Sequence, residues 1–240
     1  MIKPVFDAKL LLDSCQTIGV SLNTDQLEQF EIYFYELLEW NKTTNLTRIS
    51  ASDIISLHFV DSLLAYSLIP VNAVKILDLG SGAGFPGVPI RIVRPDCQLT
   101  LIDSGIKRIT FLKHLCQKIN LIDVDVFHGR AEELARDGRL RASFDLITAR
   151  AFAELTVLAE MSSPYLKING LLLALKSISS VAETNSANSA FQKLNLELLN
   201  VTHKQIPLTD IERSFIVLKQ IKICPEGFPR PFKKIKHNPL

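Results

Sequence analysis

The sequence predicts an α/β fold in which an N-terminal helical extension precedes a mostly parallel, Rossmann-like sheet with one late antiparallel strand. From residue 74 onward, short apolar runs alternate with amphipathic stretches, as expected of parallel strands that helices cover on both faces. Before residue 70, apolar residues recur at helical spacing. These patterns divide the chain into a helical subdomain (1–70), a Rossmann-like domain (71–225) and a basic C-terminal tail (226–240).

Three helices are predicted in the N-terminal subdomain, with a polar turn at 41–50 after the second. The apolar spacing marks them from Ala8 to Ile18, from Leu27 to Leu38 after a cap at Asn23–Asp25, and from Ser50 or Ser52 to just before Pro70. In the third helix His58, Asp61 and Ser62 stand at i, i+3 and i+4, so they share one face.

The sheet domain is predicted from five buried strands and one longer alternating strand. The apolar runs are residues 74–79, 99–103, 124–128, 144–149 and 171–176, and alternation over 211–223 indicates the last strand. An amphipathic helix is expected over 107–119. The Ser/Asn/Ala-rich stretch 177–190 is expected to be a surface loop that leads into a helix, and the tail shows little periodicity.

Composition excludes several classes of protein. The 240 residues are 47% apolar and carry 27 basic against 25 acidic side chains, so net charge alone does not indicate a nucleic-acid partner. The four cysteines form no CxxC pair, which predicts reduced, buried thiols and no metal site. We find neither a signal peptide nor an apolar run approaching the ~20 residues that span a bilayer, so we expect a cytoplasmic protein without a membrane partner.

The most informative segment is the glycine-rich turn at residues 80–87, directly after the first predicted strand. Glycines let the backbone turn tightly and approach a ligand closely. Residues 82–87, read as GxGxxG, match a dinucleotide fingerprint with Asp103 further on to hold a ribose. In a second frame an acid, Asp78, lies inside the strand end, two residues before Gly80.

The second frame fits the residues better. Pro86 lacks one of the N–H donors that a pyrophosphate needs at the start of a helix, and Asp78 adds negative charge near the phosphate position. A nucleoside with a positive charge and no phosphate suits this turn, as in S-adenosylmethionine (SAM). We therefore predict SAM beside Gly80 and Gly82, with Asp103 accepting hydrogen bonds from the ribose. A nicotinamide- or flavin-dependent oxidoreductase that uses the first frame is the alternative.

Two later strand ends carry further polar signals. Residues 128–132 follow the third strand, where the adenine edge would reach in a Rossmann-like crevice. Thr148 and Arg150 follow the fourth strand, beside the point where a substrate must meet the cofactor. Because the carboxyl ends of the strands face the crevice, a ligand or substrate role is favoured for Arg150 over a surface salt bridge.

The chain also contains a specific series of sequence blocks. They are Glu39-Trp40-Asn41-Lys42, Asn45-Leu46-Thr47, His58-Phe59-Val60-Asp61-Ser62-Leu63, the Gly80–Gly87 turn with its Phe85-Pro86, Asp103-Ser104 with Lys107-Arg108, Gly129-Arg130-Ala131-Glu132, Ala149-Arg150-Ala151 and Phe228-Pro229-Arg230. In this order, over most of the chain, they resemble the RsmG (GidB) family of methyltransferases.

The resemblance implies an enzyme that uses SAM, without a metal, to methylate N7 of a guanine in 16S ribosomal RNA. In the usual rRNA numbering the implied guanine is at position 527, and the implied partner is 16S rRNA or the small ribosomal subunit, with no obligate protein partner. Matching motif positions imply cofactor contacts from Gly80, Phe85, Ala131, Glu132 and Arg150. A small-molecule SAM methyltransferase and a non-catalytic RNA-binding assembly factor are the alternatives.

The polar face of the third helix is a candidate guanine pocket. N7 has an in-plane lone pair and no proton, so we expect no catalytic base. Asp61 is a candidate acceptor for the N1 or N2 edge of the base, with His58 beside it and Asn45 at the mouth of the crevice. The alternative is a packed helix face on which Asp61 satisfies His58.

RNA contacts are expected from two local basic patches, since phosphates bind clustered Lys and Arg. One patch lies on the predicted 107–119 helix and the other in the tail. The candidates are Lys107 and Arg108 on the helix, and Arg230, Lys233, Lys234 and Lys236 in the tail.

Overall fold

The computed structural model describes residues 4–178 and 182–240. It contains a seven-stranded sheet. The strands are β1 (Lys75–Leu79), β2 (Gln98–Asp103), β3 (Val124–His128), β4 (Phe144–Arg150), β5 (Leu166–Ser177), β6 (Leu196–Gln205) and β7 (Glu212–Gln220). Their spatial order is β3-β2-β1-β4-β5-β7-β6, and β7 runs in the opposite direction to the other six described strands. The predicted mostly parallel sheet with one late antiparallel strand is confirmed.

Helices flank this sheet and precede it. They are α1 (Ala8–Thr17), α2 (Thr24–Thr44), α3 (Asp61–Leu63), α4 (Gly87–Val93), α5 (Ile106–Lys118), α6 (Ala131–Leu134), α7 (Leu155–Ser162), α8 (Glu183–Ser186), α9 (Asn188–Leu194) and α10 (Phe232–His237). Asn23 caps α2 as predicted: its side chain accepts from the backbone N–H of Gln26, whose own side chain accepts from the N–H of Asn23.

The central strands β1, β2 and β4 are buried on both faces, which explains their near-continuous apolar sequences, while the edge strands β3 and β6 are more exposed. On one face Ile76 and Leu101 belong to the hydrophobic cluster that also contains the apolar residues of α1, α2, α4 and α5. On the other face Leu77 and Ile102 pack with α7 and α9. The N-terminal helices therefore share their core with the sheet. This packing holds α2 close to the glycine-rich turn.

Three details of the predicted elements are wrong. Strand β6 is missing from the prediction because it is an edge strand whose residues are mostly exposed, so it has no apolar pattern. Helix α2 continues through Thr44, within the predicted polar turn. The short helix α8 occupies part of the 177–190 stretch expected to be a loop, whereas α9 is the helix into which that stretch was expected to lead. Residues 179–181 lie outside the described part.

The third predicted helix is interrupted rather than continuous. Residues Ile55–Val60 form a π-helical turn that leads into the single turn of α3. π-Helical turns often occur at functional sites. In the tail, a region with no predicted element, the structure contains α10.

The structure also bears on three expectations from composition, which concern the cysteines, membrane-spanning helices and metal sites. All four cysteines are free and buried, as predicted. Within the described ranges no helix has the length and apolar character needed to cross a bilayer. The same residues contain no group of three His, Cys, Asp or Glu side chains arranged to hold a metal ion.

Candidate functional site

The site lies at the carboxyl ends of the parallel strands. Strand order reverses between β1 and β4, because the chain proceeds outward from β1 to β3 on one side and from β4 onward on the other. In open α/β sheets this switch point forms the crevice where ligands bind. The glycine-rich turn follows β1 at this edge, and residues 151–154 follow β4.

Asp78 holds the glycine-rich turn together from inside. It is fully buried, and its carboxylate accepts hydrogen bonds from Gly87 N–H at 3.2 Å and from Thr148 Oγ1 at 3.1 Å. Thr148 is its register neighbour on β4. Burial raises the pKa of Asp78 to about 6, against the hydrogen bonds, which lower it. Asp78 therefore braces the turn and does not itself face the crevice.

The turn is shaped for close approach of a ligand. Gly80, Gly82 and Gly84 all have positive φ, of 73°, 58° and 100°, which a side chain rarely allows. From α2, the hydroxyl of Tyr33 donates to the carbonyl of Ala83 and supports the turn from below. Tyr33 is a functional residue that the sequence analysis missed, since no local pattern connects it with the turn.

A first cavity, the Asp103 cavity, opens beside this turn and has a volume of about 570 Å³. That size is typical of a small-molecule site. Of the predicted cofactor contacts in the described chain, those that line it are Gly80, Asp103, Ala131 and Glu132. The other three predicted contacts, Gly82, Phe85 and Arg150, are not among its described lining residues. Gly82 is nevertheless joined to it, because its backbone N–H donates to the Asp103 carboxylate at 2.9 Å.

Asp103 can accept the hydroxyls of a ribose. Its two carboxylate oxygens hold the backbone N–H groups of Gly82 at 2.9 Å and Gly105 at 2.7 Å. Each carboxylate oxygen can accept further hydrogen bonds, and among the described residues the additional donor is Arg108 Nη1, at 3.5 Å from both oxygens. The lining contains three acidic side chains (Asp103, Glu132 and Glu154) and three basic ones (Arg108, Arg130 and Lys236). The carboxylate of Asp103 and the positive-φ backbone of Gly80 fit a nucleoside such as SAM. Arg108, predicted to contact RNA, is also among the residues that line this cavity.

A second cavity, the Asp61 cavity, lies on the other side of residues 151–154 and has a volume of about 620 Å³. Its lining includes His58, Asp61 and Arg150, two of which are predicted guanine-pocket residues. Asn45, the third, ends α2 in the left-handed conformation and is not among the described lining residues. Phe152 lines both cavities, and its ring covers Gly80 so closely that no Cβ fits there.

Asp61 sits between two arginines. Its side chain is 3% exposed, and its carboxylate accepts from Arg150 Nη1 at 3.0 Å and from Arg213 Nε at 2.9 Å. Arg213 comes from β7 and was missed, because no sequence signal connects it with Asp61. The charge of Asp61 is therefore already balanced within the protein.

His58 is held neutral and is satisfied by residues other than Asp61. Arg150 donates to Nδ1 at 2.8 Å, so Nε2 carries the proton that points to Thr47 Oγ1 at 2.7 Å. The imidazole stacks on Phe85 at 4.3 Å, and Phe85 stacks in turn on Tyr33 at 5.1 Å. Burial, with the charge of Arg150, lowers the pKa of His58 to about 3. His58 therefore orients Arg150 and is not a proton carrier near neutral pH.

This neutral His58 gives the first prediction. The unfolded chain binds a proton on His58 near pH 6.5 while the folded chain does not until about pH 3, so the free energy of unfolding should fall between those values. Asp78 has the opposite effect on the free energy of unfolding between pH 6 and 4. Its pKa is raised in the folded state, so the folded chain binds the proton first and gains stability as the pH falls. The measurement is urea unfolding from pH 7 to 4 for the wild type and for His58→Gln, which keeps a donor and an acceptor.

The Asp78 contribution is common to both proteins, so the difference between them isolates His58. The wild type should lose more stability on acidification than His58→Gln. Parallel curves for the two proteins would show that His58 is protonated in the folded state.

The predicted RNA-contacting residues divide into three groups. Lys107, Lys233 and Lys234 are exposed. Lys236 lines the Asp103 cavity. Arg230 instead forms a bidentate pair with Glu160, whose side chain is fully buried, at 2.8 and 2.6 Å. This pair anchors the tail, since a buried carboxylate requires a partner, and an RNA contact from Arg230 stays a prediction.

Comparison with known proteins agrees with this arrangement. Residues 26–215 match the family model GidB, described as rRNA small subunit methyltransferase G. Proteins named ribosomal RNA small subunit methyltransferase G are similar along nearly their whole length. The one from Clostridium botulinum is 39% identical over 96% of this chain and 98% of its own. The one from Bacillus subtilis is 42% identical over 88% and 90%.

Solved structures share the fold at low sequence identity. TYW2 of M. jannaschii, solved in complex with AdoMet, superposes with a TM-score of 0.52 at 12% identity over 67% of this chain and 74% of its own. A ribosomal protein L11 methylase from Lactobacillus delbrueckii subsp. bulgaricus gives 0.53 at 13% identity over 75% and 83%. These similarities support the Rossmann-like methyltransferase fold.

Proposed function

The chain belongs to the family of rRNA small subunit methyltransferase G, and from that premise we propose that it methylates N7 of one guanine in 16S ribosomal RNA. The enzyme is a methyltransferase whose cofactor is SAM. The observation that supports the proposal most strongly is the pair of cavities that share residues 151–154. One cavity suits a cofactor and the other a base, with a single short segment between them.

In this proposal SAM binds in the Asp103 cavity. Asp103 accepts the ribose hydroxyls, while Ala131 and Glu132 lie at the adenine end, after β3. Gly80 lets the cofactor approach the backbone, because a side chain there has no room. When bound, SAM supplies an electrophilic methyl group attached to a positively charged sulfur.

The guanine enters the Asp61 cavity. Its N7 needs no proton removed, and the site residues agree with a reaction that lacks a general base. His58 has both ring nitrogens engaged and a lowered pKa, and both oxygens of Asp61 are held by arginines. Their network instead fixes Arg150 at the end of β4. Catalysis then rests on alignment of N7 with the methyl group, an effect worth up to ~7–11 kcal/mol.

Exposed lysines supply contacts to RNA phosphates. Lys107 on α5 and Lys233 and Lys234 on α10 are exposed on elements that border the Asp103 cavity. Such contacts are independent of sequence and weaken with salt. A guanine in a structured loop must leave its stack to reach the cavity, so we propose the small ribosomal subunit or an assembly intermediate as the substrate.

The second prediction tests the proposed function directly. Purified protein, with SAM labelled in the methyl group, is incubated with small ribosomal subunits from cells that lack it, and the labelled nucleoside is then identified. We expect 7-methylguanosine at one position of 16S rRNA. Subunits from cells that contain the protein are the control and should accept little label, since their site is already methylated.

Other outcomes have distinct meanings. Label in another nucleoside would overturn the N7 assignment and leave the enzyme class intact. Label in a metabolite but not in RNA would favour the small-molecule alternative. RNA binding without any methyl incorporation would favour a non-catalytic assembly factor.

A further inference from the structure

The C-terminal segment 228–240 is fastened to the sheet domain by side chains far away in sequence. Arg230 pairs with the buried Glu160 of α7, and Arg141 donates to the carbonyl oxygen of Phe228 at 2.9 Å. Ile235 of α10 is fully buried in the cluster on that face of the sheet. Because α10 is anchored on both sides of Phe232, the position of that side chain is well defined.

One face of this segment lines the Asp103 cavity. Phe232, Lys236 and Pro239 are among its lining residues. The first two stand at i and i+4 on α10 and share one face of that helix, while Pro239 follows its end. Lys233 and Lys234 are exposed but are not among the described lining residues. The same short helix therefore presents an aromatic ring to the cavity and lysines to solvent.

Phe232 is joined to the adenine end of that cavity. The guanidinium carbon of Arg130 lies 5.5 Å from the centre of the Phe232 ring, a cation–π distance. Arg130 directly precedes α6, which begins with Ala131 and Glu132, two other lining residues. Phe232 as a whole residue is still 36% exposed, so part of its surface is available to a ligand.

We propose that Phe232 binds the nucleoside half of the cofactor, and that the C-terminal segment thereby completes the cofactor site. The inference rests on the proposed position of SAM in the Asp103 cavity. An adenine ring is flat and apolar on its faces, and it gains from contact with an aromatic side chain. Phe232 is thus a binding residue supplied by the segment that the sequence analysis assigned to RNA alone.

The third prediction tests this by calorimetric titration of the full chain without RNA. The probes are S-adenosylhomocysteine and 5′-methylthioadenosine, which keeps the nucleoside but lacks the amino-acid part. Phe232→Ala should raise the dissociation constants of both probes about tenfold. This lies near the lower end of the range found when a base–aromatic contact is removed. Phe232→Tyr should restore most of the affinity. The matched control on the same helix is His237→Ala, which removes an exposed side chain that is not among the described lining residues, and it should bind both probes as the wild type does.

Unchanged affinity in Phe232→Ala would overturn the inference, as would a loss confined to S-adenosylhomocysteine. The Gly80→Asp variant separates this from the proposed cofactor position. If Gly80→Asp loses binding and Phe232→Ala does not, only the role of Phe232 falls. If neither variant changes the affinity, the position of the cofactor is wrong as well. Since no RNA is present, the result does not depend on the rRNA substrate.

Discussion

Replacing Gly80 by aspartate is expected to abolish SAM binding. Gly80 has φ of 73°, and a Cβ atom at this position would overlap the ring of Phe152. The new carboxylate would also occupy the cavity surface that the cofactor must approach. We expect the dissociation constant for S-adenosylhomocysteine to rise at least about 100-fold, equivalent to about 2.7 kcal/mol. Isothermal titration calorimetry measures it directly.

The matched control is Gly138→Asp. Gly138 is an exposed turn residue, and a Cβ built on it meets nothing within 4 Å, so this variant should bind like the wild type. Circular dichroism would verify that both variants fold. If Gly80→Asp does not fold, Gly80→Ala offers the smaller change, with the same steric argument. Affinity in a folded Gly80 variant within a few fold of the wild type would mean that the cofactor binds elsewhere.

Replacing Asp61 by alanine is expected to destabilise the protein by about 3 kcal/mol and to abolish methyl transfer. The change leaves Arg150 and Arg213 without their shared counter-charge. Their side chains are only 15% and 25% exposed, so water cannot fully replace the lost carboxylate. Breaking a buried ion pair from one side leaves a poorly solvated charge, which costs about 3–5 kcal/mol. The lower end applies here because the arginines retain some contact with water. Urea unfolding gives the change in free energy.

The matched control is Asp13→Ala, which removes one partner of an exposed pair with Lys9 on α1. Exposed pairs contribute about 0–1 kcal/mol, so this variant should unfold almost as the wild type does. A double-mutant cycle of Asp61→Ala with Arg213→Ala measures their coupling. A loss no larger than that of the Asp13 control would show that the bridge does not stabilise the fold.

The parts of the site that depend on neighbouring residues in the sequence could be predicted from it. The glycine-rich turn follows from the spacing of a few neighbouring residues, and Asp103 follows from its position at the end of the next strand. The shared face of His58 and Asp61 follows from helical periodicity, even though the structure replaces the regular helix with a π-helical turn. Periodicity places such residues on one face, but it does not identify their partners.

The partners depend on long-range packing. Asp61 meets Arg213 across 152 positions, and Arg230 meets Glu160 across 70. These separations explain why the sequence identifies neither Arg213 as a partner of Asp61 nor Glu160 as the partner of Arg230. Strand β6 was missed for a related reason: an exposed edge strand needs no apolar alternation, because its neighbour β7 provides the hydrogen bonds.

The sequence by itself determined the class of fold, the glycine-rich turn and the family, because these depend on local spacing, periodicity and ordered motifs. Only the tertiary structure decided which charges neutralise Asp61, why His58 stays neutral, and that the C-terminal segment borders the cofactor cavity. Each of these depends on distance and burial between residues far apart in the chain. Burial determines the cost of a charge, and only the folded chain determines burial.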